Sequence, residues 1–524
     1  MSQFLKNVFA SCLGVSLAFL LLFFIGIFVV GALAGSGGEK TVSVDNNSVL
    51  HLTLDQPVPE QTNNLEAGAM AFKSDDILGL NDIVEALEHA ATDNKIKGIY
   101  LNPENGLGMG MASATTVRNA ILKFKESGKF VIANSKYYTQ GAYYLASAAD
   151  TVYLNPLGSI DFHGFSAMIP FFKDMLDRVG IKMEVFYAGD FKSATEPFRL
   201  NEMTDNNRLQ MREYLEPVFK NFLTDIAASR KLDVATLRGI ADELKVRTAE
   251  DAVALGLVDK IGFGDDIIAQ MKKRMALKAD DDINIVTLED YASSFVKKKD
   301  YKAKDKIALV FAEGDILMND GDRGTIVDQK YVKLLREIRK DEKIKAIVLR
   351  VNSGGGSAIA SENIWRELQL AKDAGKKIVV SMGDYAASGG YYIACNADKI
   401  IAEPNTLTGS IGVFSMMPNA SKLFEEKLGI HWDTVKTAKY STGVNPFYDI
   451  SSVEAEHLQY STEAMYATFL KRVADGRNMT TDSVHQIAQG RVWVGEKAKQ
   501  LGLVDEIGNL DSAINAIGRH AFQK

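Results

Sequence analysis

Cysteine is almost missing from this chain. The 524 residues contain two, Cys12 inside an apolar run and Cys395 far downstream, so no disulfide framework holds the fold. Large basic tracts are missing as well. The net charge is -7, and no cluster of Lys and Arg is big enough to make nucleic acid a partner. The seven histidines, at 51, 89, 163, 431, 457, 485 and 520, avoid Gly- and Ser-rich motifs, which argues against a histidine-based triad. No metal-ligand constellation or nucleotide fingerprint stands out. The triple glycine at 354–356 lacks the G-x-x-x-x-G-K-[ST] pattern, which excludes a phosphate-binding P-loop. What is present is ordinary globular composition, 46% hydrophobic and 24% charged, with length for two or more domains.

One apolar run is long. Val8 to Leu33 is 26 residues without a charge. As a helix it would extend roughly 39 Å, enough to cross a hydrocarbon core of about 30 Å. Ala32-Leu33-Ala34 resembles a signal cleavage site, but the apolar core of a signal is usually about 7–15 residues. A retained transmembrane anchor at 8–34 is therefore expected, after a short N-terminal segment, 1–7. Lys6 before the run, against Glu39, Lys40 and Asp45 after it, favours a cytoplasmic N-terminus. The rest of the chain would lie on the other side.

That remainder is written twice. K95-I-K-G-I-Y-L matches K343-I-K-A-I-V-L, and G-A-Y-Y-L-A-S-A-A-D (141–150) matches G-G-Y-Y-I-A-C-N-A-D (389–398). A-L-G-L-V-D-K-I-G (254–262) matches Q-L-G-L-V-D-E-I-G (500–508). A period this long means two copies of a domain rather than a solenoid. The copies are placed at 41–290 and 306–524. Between them the charged stretch K-K-K-D-Y-K-A-K-D-K (297–306) has little to bury and marks a linker, set at 291–305. In the second copy, Ile307–Phe311, Ala346–Val351 and Ile378–Met382 read as strands. Helices are expected near Lys330–Lys340, at Ala358–Ala374 and from Gly389. Strands alternating with helices indicate an α/β fold with parallel strands.

Two glycine-rich loops follow strands of the second copy: Asn352-Ser353-Gly354-Gly355-Gly356-Ser357 and Ala387-Ser388-Gly389-Gly390. Reactive groups of α/β sheets gather at the carboxyl ends of strands. A serine there, with the next glycine amide beside it, could be a nucleophile with an oxyanion donor. The same serine could equally be a helix N-cap. A nucleophile needs a base, and a lysine of lowered pKa can serve. Phe191-Lys192-Ser193-Ala194-Thr195-Glu196-Pro197-Phe198 aligns with Tyr440-Ser441-Thr442-Gly443-Val444-Asn445-Pro446-Phe447. The first copy carries lysine where the second has Ser441. The second carries Ser388 where the first has Gln140. Each half keeps one component of a possible dyad, although a lone Lys192 would more simply be a surface residue.

These motifs, with T-L-T-G-S-I-G (406–412) and the repeated G-L-V-D ends, resemble the signal peptide peptidase A family in its long two-domain form, protease IV. The resemblance implies two tandem crotonase/Clp-protease-like domains after one membrane helix. It implies a membrane-anchored serine endopeptidase that degrades cleaved signal peptides. By motif, Ser388 resembles the nucleophile, Lys192 the general base and Ser410 an accessory serine. Gly356 and Gly389 resemble the oxyanion donors. Ser410 could also be a plain turn residue. Gly354 departs from the family, which usually has proline there. The resemblance further implies no cofactor, apolar peptide substrates, a homo-tetramer, and a catalytic part on the outer, periplasmic side of the bacterial inner membrane. Two other readings compete: a crotonase-type acyl-CoA enzyme using carboxylates, and a catalytically silent membrane scaffold.

Overall fold

The apolar runs of both copies fold as strands of two separate, largely parallel sheets. The computed structural model describes residues 43–64, 77–104, 106–295 and 304–522, with a few positions between 3 and 25. Of the expected anchor at 8–34, only positions 14, 15, 17 and 19–25 are described, as helix, and of the linker expected at 291–305, residues 296–303 lie outside the described residues. The expected linker starts too early, because Leu288–Ser294 is a helix whose Tyr291 is buried in the core of the first half. Among the described residues no helix is long and apolar enough to cross a membrane.

In the first half, β1 (Ser48–Leu52), β2 (Ile96–Leu101), β3 (Phe130–Tyr138) and β4 (Thr151–Ile160) form the sheet centre, and β5 (Lys182–Ala188) leaves it. With β6 (Lys260–Ile261) and β7 (Asn284–Thr287) the order is β6-β4-β3-β2-β1-β7, all neighbours parallel. The second half opens with β8 (Lys306–Glu313) and a short parallel pair, β9 (Ile316–Leu317) and β10 (Ile326–Val327). β11 (Ile344–Ser353), β12 (Lys377–Ala387), β13 (Lys399–Ala402) and β14 (Leu407–Gly409) follow, then β15 (Val413–Asn419), β16 (Val492–Val494) and β17 (Glu506–Ile507). The path is β16-β14-β12-β11-β8, with β13 on β12 and β17 on β13. β12 forks: Val379–Met382 pairs with β13, and Tyr385–Ala387 pairs with β14. The fork frees its last residues to carry a turn. One pair, β14 with β16, is antiparallel, a departure from the parallel pattern expected of each copy.

Five helices matter for the site: α1 (Met111–Glu126), α2 (Gln140–Ala146), α3 (Asp205–Arg230), α4 (Ala358–Asp373) and α5 (Gly389–Ala394). α1 buries Val117, Ile121 and Phe124, the spacing of one helical face, and α4 buries Ile364, Leu368 and Ala371 likewise. The duplication reappears as matched contacts. Tyr143 donates to the Leu257 carbonyl at 2.7 Å, and Tyr391 to the Leu503 carbonyl at 2.8 Å. Arg230 pairs with Asp259, as Arg477 does with Asp505.

The halves are held together by polar and strand contacts. β5 of the first half pairs antiparallel with β15 of the second, from Lys182↔Asn419 to Ala188↔Val413. Arg350 on β11 meets Glu60 at 2.9 Å, with both side chains 3% exposed or less. Arg350 also donates to Ser381 Oγ at 2.9 Å and the Met382 carbonyl at 3.0 Å. Thr116 on α1 donates to Glu403 at 2.6 Å, and burial pushes the Glu403 carboxyl up to about 7. Removing one member of a buried ion pair strands the other charge, at a cost of roughly 3–5 kcal/mol. Arg350→Ala or Glu60→Ala should therefore lower the unfolding temperature sharply in a thermal melt. The apolar pair Arg350→Met with Glu60→Leu should recover most of the loss. Single variants melting like wild type would show that the pair contributes little.

Candidate active site

Ser388 stands between β12 and α5, at the end of the strand that forks. Its backbone has φ +53 and ψ -119, a conformation that non-glycine residues rarely adopt and that stores about 1–3 kcal/mol. Neighbouring backbone holds it there. Its N–H donates to the Gly409 carbonyl at 2.9 Å, and its carbonyl accepts the Tyr392 amide at 2.9 Å. The side chain makes no capping hydrogen bond to α5, so the N-cap explanation does not account for the hydroxyl.

The triple-glycine loop lies against this turn. Ser353 Oγ accepts the Gly355 amide at 3.1 Å and donates to the Gly314 carbonyl at 2.6 Å. Ile316 clamps the next residues: its amide donates to the Gly355 carbonyl at 2.9 Å, and its carbonyl accepts the Ser357 amide at 2.8 Å. Gly356, at φ +152, could carry no side chain, because a Cβ would sit 2.2 Å from the Ile316 carbonyl oxygen. A Cβ on Gly389 would lie 3.2 Å from the Gly355 Cα, so the two loops touch. Among the described residues, the amides of Gly356 and Gly389 donate no hydrogen bond. Gly354 is exposed, with open space around its missing Cβ. The loop is fixed by Ser353 and Ile316 where the family's proline is lacking.

Lys192 comes from the other half. It follows β5, whose pairing with β15 leads the lysine loop towards Ser410. Phe191 N–H donates to the Gln489 carbonyl at 2.9 Å. Gly490 lies flat on the lysine backbone, where any Cβ would come within 2.7 Å of Lys192 Cα. Gln210 on α3 donates to the Phe191 carbonyl at 3.1 Å and to Ser193 Oγ at 2.8 Å, and it accepts the Val492 amide at 3.3 Å. The buried Glu196 carboxylate receives Thr204 Oγ1 at 2.6 Å and Asn207 Nδ2 at 2.8 Å. This explains the acidic residue of the F-K-S-A-T-E-P-F segment as an anchor for the loop.

Lys192 Nζ lies 3.1 Å from Ser388 Oγ, 3.0 Å from Ser410 Oγ and 3.1 Å from the Ser410 carbonyl oxygen. Ser410 Oγ in turn faces the Gly490 carbonyl at 3.4 Å. The lysine is 5% exposed, and burial alone lowers its pKa from 10.5 to about 8. At pH 7 about one amine in ten is then neutral, against roughly one in three thousand for an exposed lysine. A neutral amine has two N–H donors and one lone pair. The two oxygens of Ser410 can take the donors, leaving the lone pair for the Ser388 hydroxyl proton. Lys192, Ser388 and Ser410 thus meet within one chain.

The counterpart positions have relaxed. Gln140 is an ordinary first residue of α2, capped by Thr139, and its side chain bridges to the backbone of His163 and Gly164. Ser441 is exposed and, among the described residues, bonds only within its own loop, to Ala438 and Thr437. Sequence reasoning missed Ser353, Ile316, Gln210 and Gly490, whose roles depend on contacts distant in the chain. Ser353, inside the glycine motif, was the most accessible of them.

A serine hydroxyl against a buried amine, beside two free backbone amides, is an arrangement suited to acyl transfer. Proteins of similar sequence point the same way. The model of peptidase family S49 matches residues 123–278 and 370–523, once in each half. Protease 4 of Haemophilus influenzae is 34% identical over 500 residues, covering 92% of this chain and 80% of that one. Protease 4 of Salmonella typhi is 37% identical over 449 residues, 83% of this chain and 71% of that one. The chloroplastic serine protease SPPA of Arabidopsis thaliana is 31% identical over 484 residues, 90% and 69%. The chain belongs to peptidase family S49 and is a serine peptidase. The acyl-CoA enzyme and the silent scaffold are thereby set aside.

Two outcomes follow from the buried amine. A lysine acting as general base must be neutral, so if Lys192 serves as the base, kcat/KM should rise with pH through a single midpoint near 8. A flat profile between pH 6 and 9 would contradict this. The lysine also opposes folding while it is protonated. Its folded pKa lies below the unfolded one, so the penalty is full below about pH 8 and is relieved towards pH 10.5. Lys192→Met should stabilise the protein at pH 6 by up to about 3 kcal/mol, at 1.36 kcal/mol per unit. Thermal melts at pH 6 and pH 9.5 should show most of this advantage lost at the higher pH.

Proposed function

We propose that this chain is a membrane-anchored endopeptidase that cleaves apolar peptides, signal peptides among them, by a Ser388/Lys192 dyad. The observation that carries the reading is the 3.1 Å approach of Lys192 Nζ to Ser388 Oγ inside a dry contact between the halves. Neutral Lys192 takes the hydroxyl proton as Ser388 Oγ attacks the scissile carbonyl carbon. The amides of Gly356 and Gly389 hold the resulting oxyanion. The intermediate collapses, the lysine returns its proton to the leaving amine, and an acyl-enzyme remains. Lys192 then takes a proton from water, whose oxygen displaces Ser388 and releases the acid. Ser410 is the accessory residue that orients the amine.

The finer architecture belongs to the same proposal. Each half, 41–290 and 306–524, is taken as a crotonase/Clp-like unit. Strands β11 and β12, each ending in a glycine loop, support this. Apolar substrates are supported by exposed Met318, Ile359 and Tyr385, on the segments around those loops. The outward-facing membrane location rests on the charge-free run at 8–33. Assembly into a homo-tetramer is supported by exposed Leu428, Ile430, Val435 and Tyr440, in and before the loop that corresponds to the lysine loop. The first copy's loop is covered by the second half, whereas these side chains are left exposed within one chain.

Purified Ser388→Ala and Lys192→Ala should lose peptidase activity by a factor of about 10³ or more while keeping wild-type circular dichroism. Ser410→Ala should retain a measurable fraction. A fluorophosphonate probe should label wild type on Ser388 and leave Ser388→Ala unlabelled. Near-normal turnover in either dyad variant would reject the assignment.

A further inference from the structure

Helix α1 has no cap of its own. Its N-cap is Gly110, which has no side chain, so the first-turn N–H groups need an acceptor from elsewhere. The acceptor comes from the other half. The Asp384 carboxylate receives the amides of Ala112 at 2.9 Å and Ser113 at 3.0 Å on one oxygen. Ser113 Oγ donates to the other oxygen at 2.6 Å. The fit leaves no room at residue 110, where a Cβ would sit 2.4 Å from Asp384 Cγ. Asp384 lies on β12, four residues before Ser388. α1 is packed into the core of the first half, which also carries Lys192. One carboxylate thus joins the body that holds the amine to the strand that ends in the hydroxyl.

We propose that Asp384 is a positioning residue for the dyad, holding the Ser388 strand against the first half so that water stays out of the space around Lys192. The proposal rests on the Ser388/Lys192 reading. It assigns a role to a side chain that touches neither reacting group. Other ties between the halves include β5 with β15, which guides the lysine loop, Glu60 with Arg350, which also bonds Ser381 and Met382 on β12, and Thr116 of α1 with Glu403. Asp384 differs in joining the first turn of α1 directly to the last residues of the Ser388 strand. The groups nearest Asp384 by charge or titration are Tyr385 beside it, Tyr214 from α3, Arg350 and Glu403. Burial raises both tyrosines, so they stay neutral across the working range.

The consequence is measurable because burial alone depresses the lysine. If the halves part slightly at α1, water reaches the amine and its pKa climbs back. A plain loss of stability would instead lower the amount of active enzyme, which counting active sites at each pH removes from kcat/KM. The experiment compares pH profiles of kcat/KM for a peptide substrate, using full-length protein in detergent with active sites counted by a fluorophosphonate. Asp384→Ala should move the midpoint upward by roughly half a unit or more and reduce kcat/KM at pH 7 about tenfold per active site. Asp384→Asn keeps an acceptor oxygen and should move it less. Gly110→Ser added to Asp384→Ala gives α1 a local cap in the vacated space. That double variant should regain melting temperature while its midpoint stays displaced.

An unmoved midpoint in Asp384→Ala would overturn the proposal. So would a double variant in which melting temperature and midpoint return together. If Asp384→Ala fails to fold, Asp384→Asn is judged by the same midpoint criterion. Turnover persisting in Lys192→Ala would reject the dyad reading itself, which keeps the two failures apart.

Discussion

Keeping water from one amine is the constraint on which the rest depends. Among the described residues Lys192 has no charged partner to tune it, and its lowered pKa follows from burial. Burial of that kind cannot be supplied by a loop on its own. The first half brings the lysine, and the second half supplies the lid: Gly490 against its backbone, Ser410 around its Nζ and Ser388 in front of it. On the Ser388/Lys192 reading, the contact between the halves is therefore part of the chemistry as well as of the fold.

Strain and support are divided in the same way. Ser388 is held at positive φ, where serine would not settle unaided, and the restraint comes from Gly409, Tyr392 and the triple-glycine loop. In the first copy the corresponding turn has relaxed into a normally capped helix beginning at Gln140. Nothing in that copy requires a reactive hydroxyl, so the strained geometry has no reason to persist. The second copy's Ser441 loop has relaxed likewise into local hydrogen bonds. On the dyad reading, a duplicated domain needs one reactive turn and one amine, provided that the two meet.

Much of this was legible before any coordinates. Ile307–Phe311, Ala346–Val351 and Ile378–Met382 lie inside β8, β11 and β12, because buried parallel strands are written as short, nearly continuous apolar runs. Aligning the two copies singled out Ser388 and Lys192 as complementary retentions, and the motif T-G-S-I-G singled out Ser410. These signals are local in the chain. The antiparallel pairs β5–β15 and β14–β16 were not legible, because each joins segments distant in sequence. Asp384 and Gly490 carried no motif for the same reason. Their partners, the first turn of α1 and the backbone of Lys192, lie in the other half.

Amino-acid order alone therefore specified the duplication, the strand and helix pattern, and the residue types from which an acyl-transfer site can be built. Those properties depend on periodicity and on short motifs, which chain neighbours encode. The 3.1 Å meeting of amine and hydroxyl, and the dryness that lowers the amine's pKa, arise only where the two halves meet. Desolvation is a property of what surrounds a group in space. For Lys192 those surroundings are residues some two to three hundred positions away in the chain.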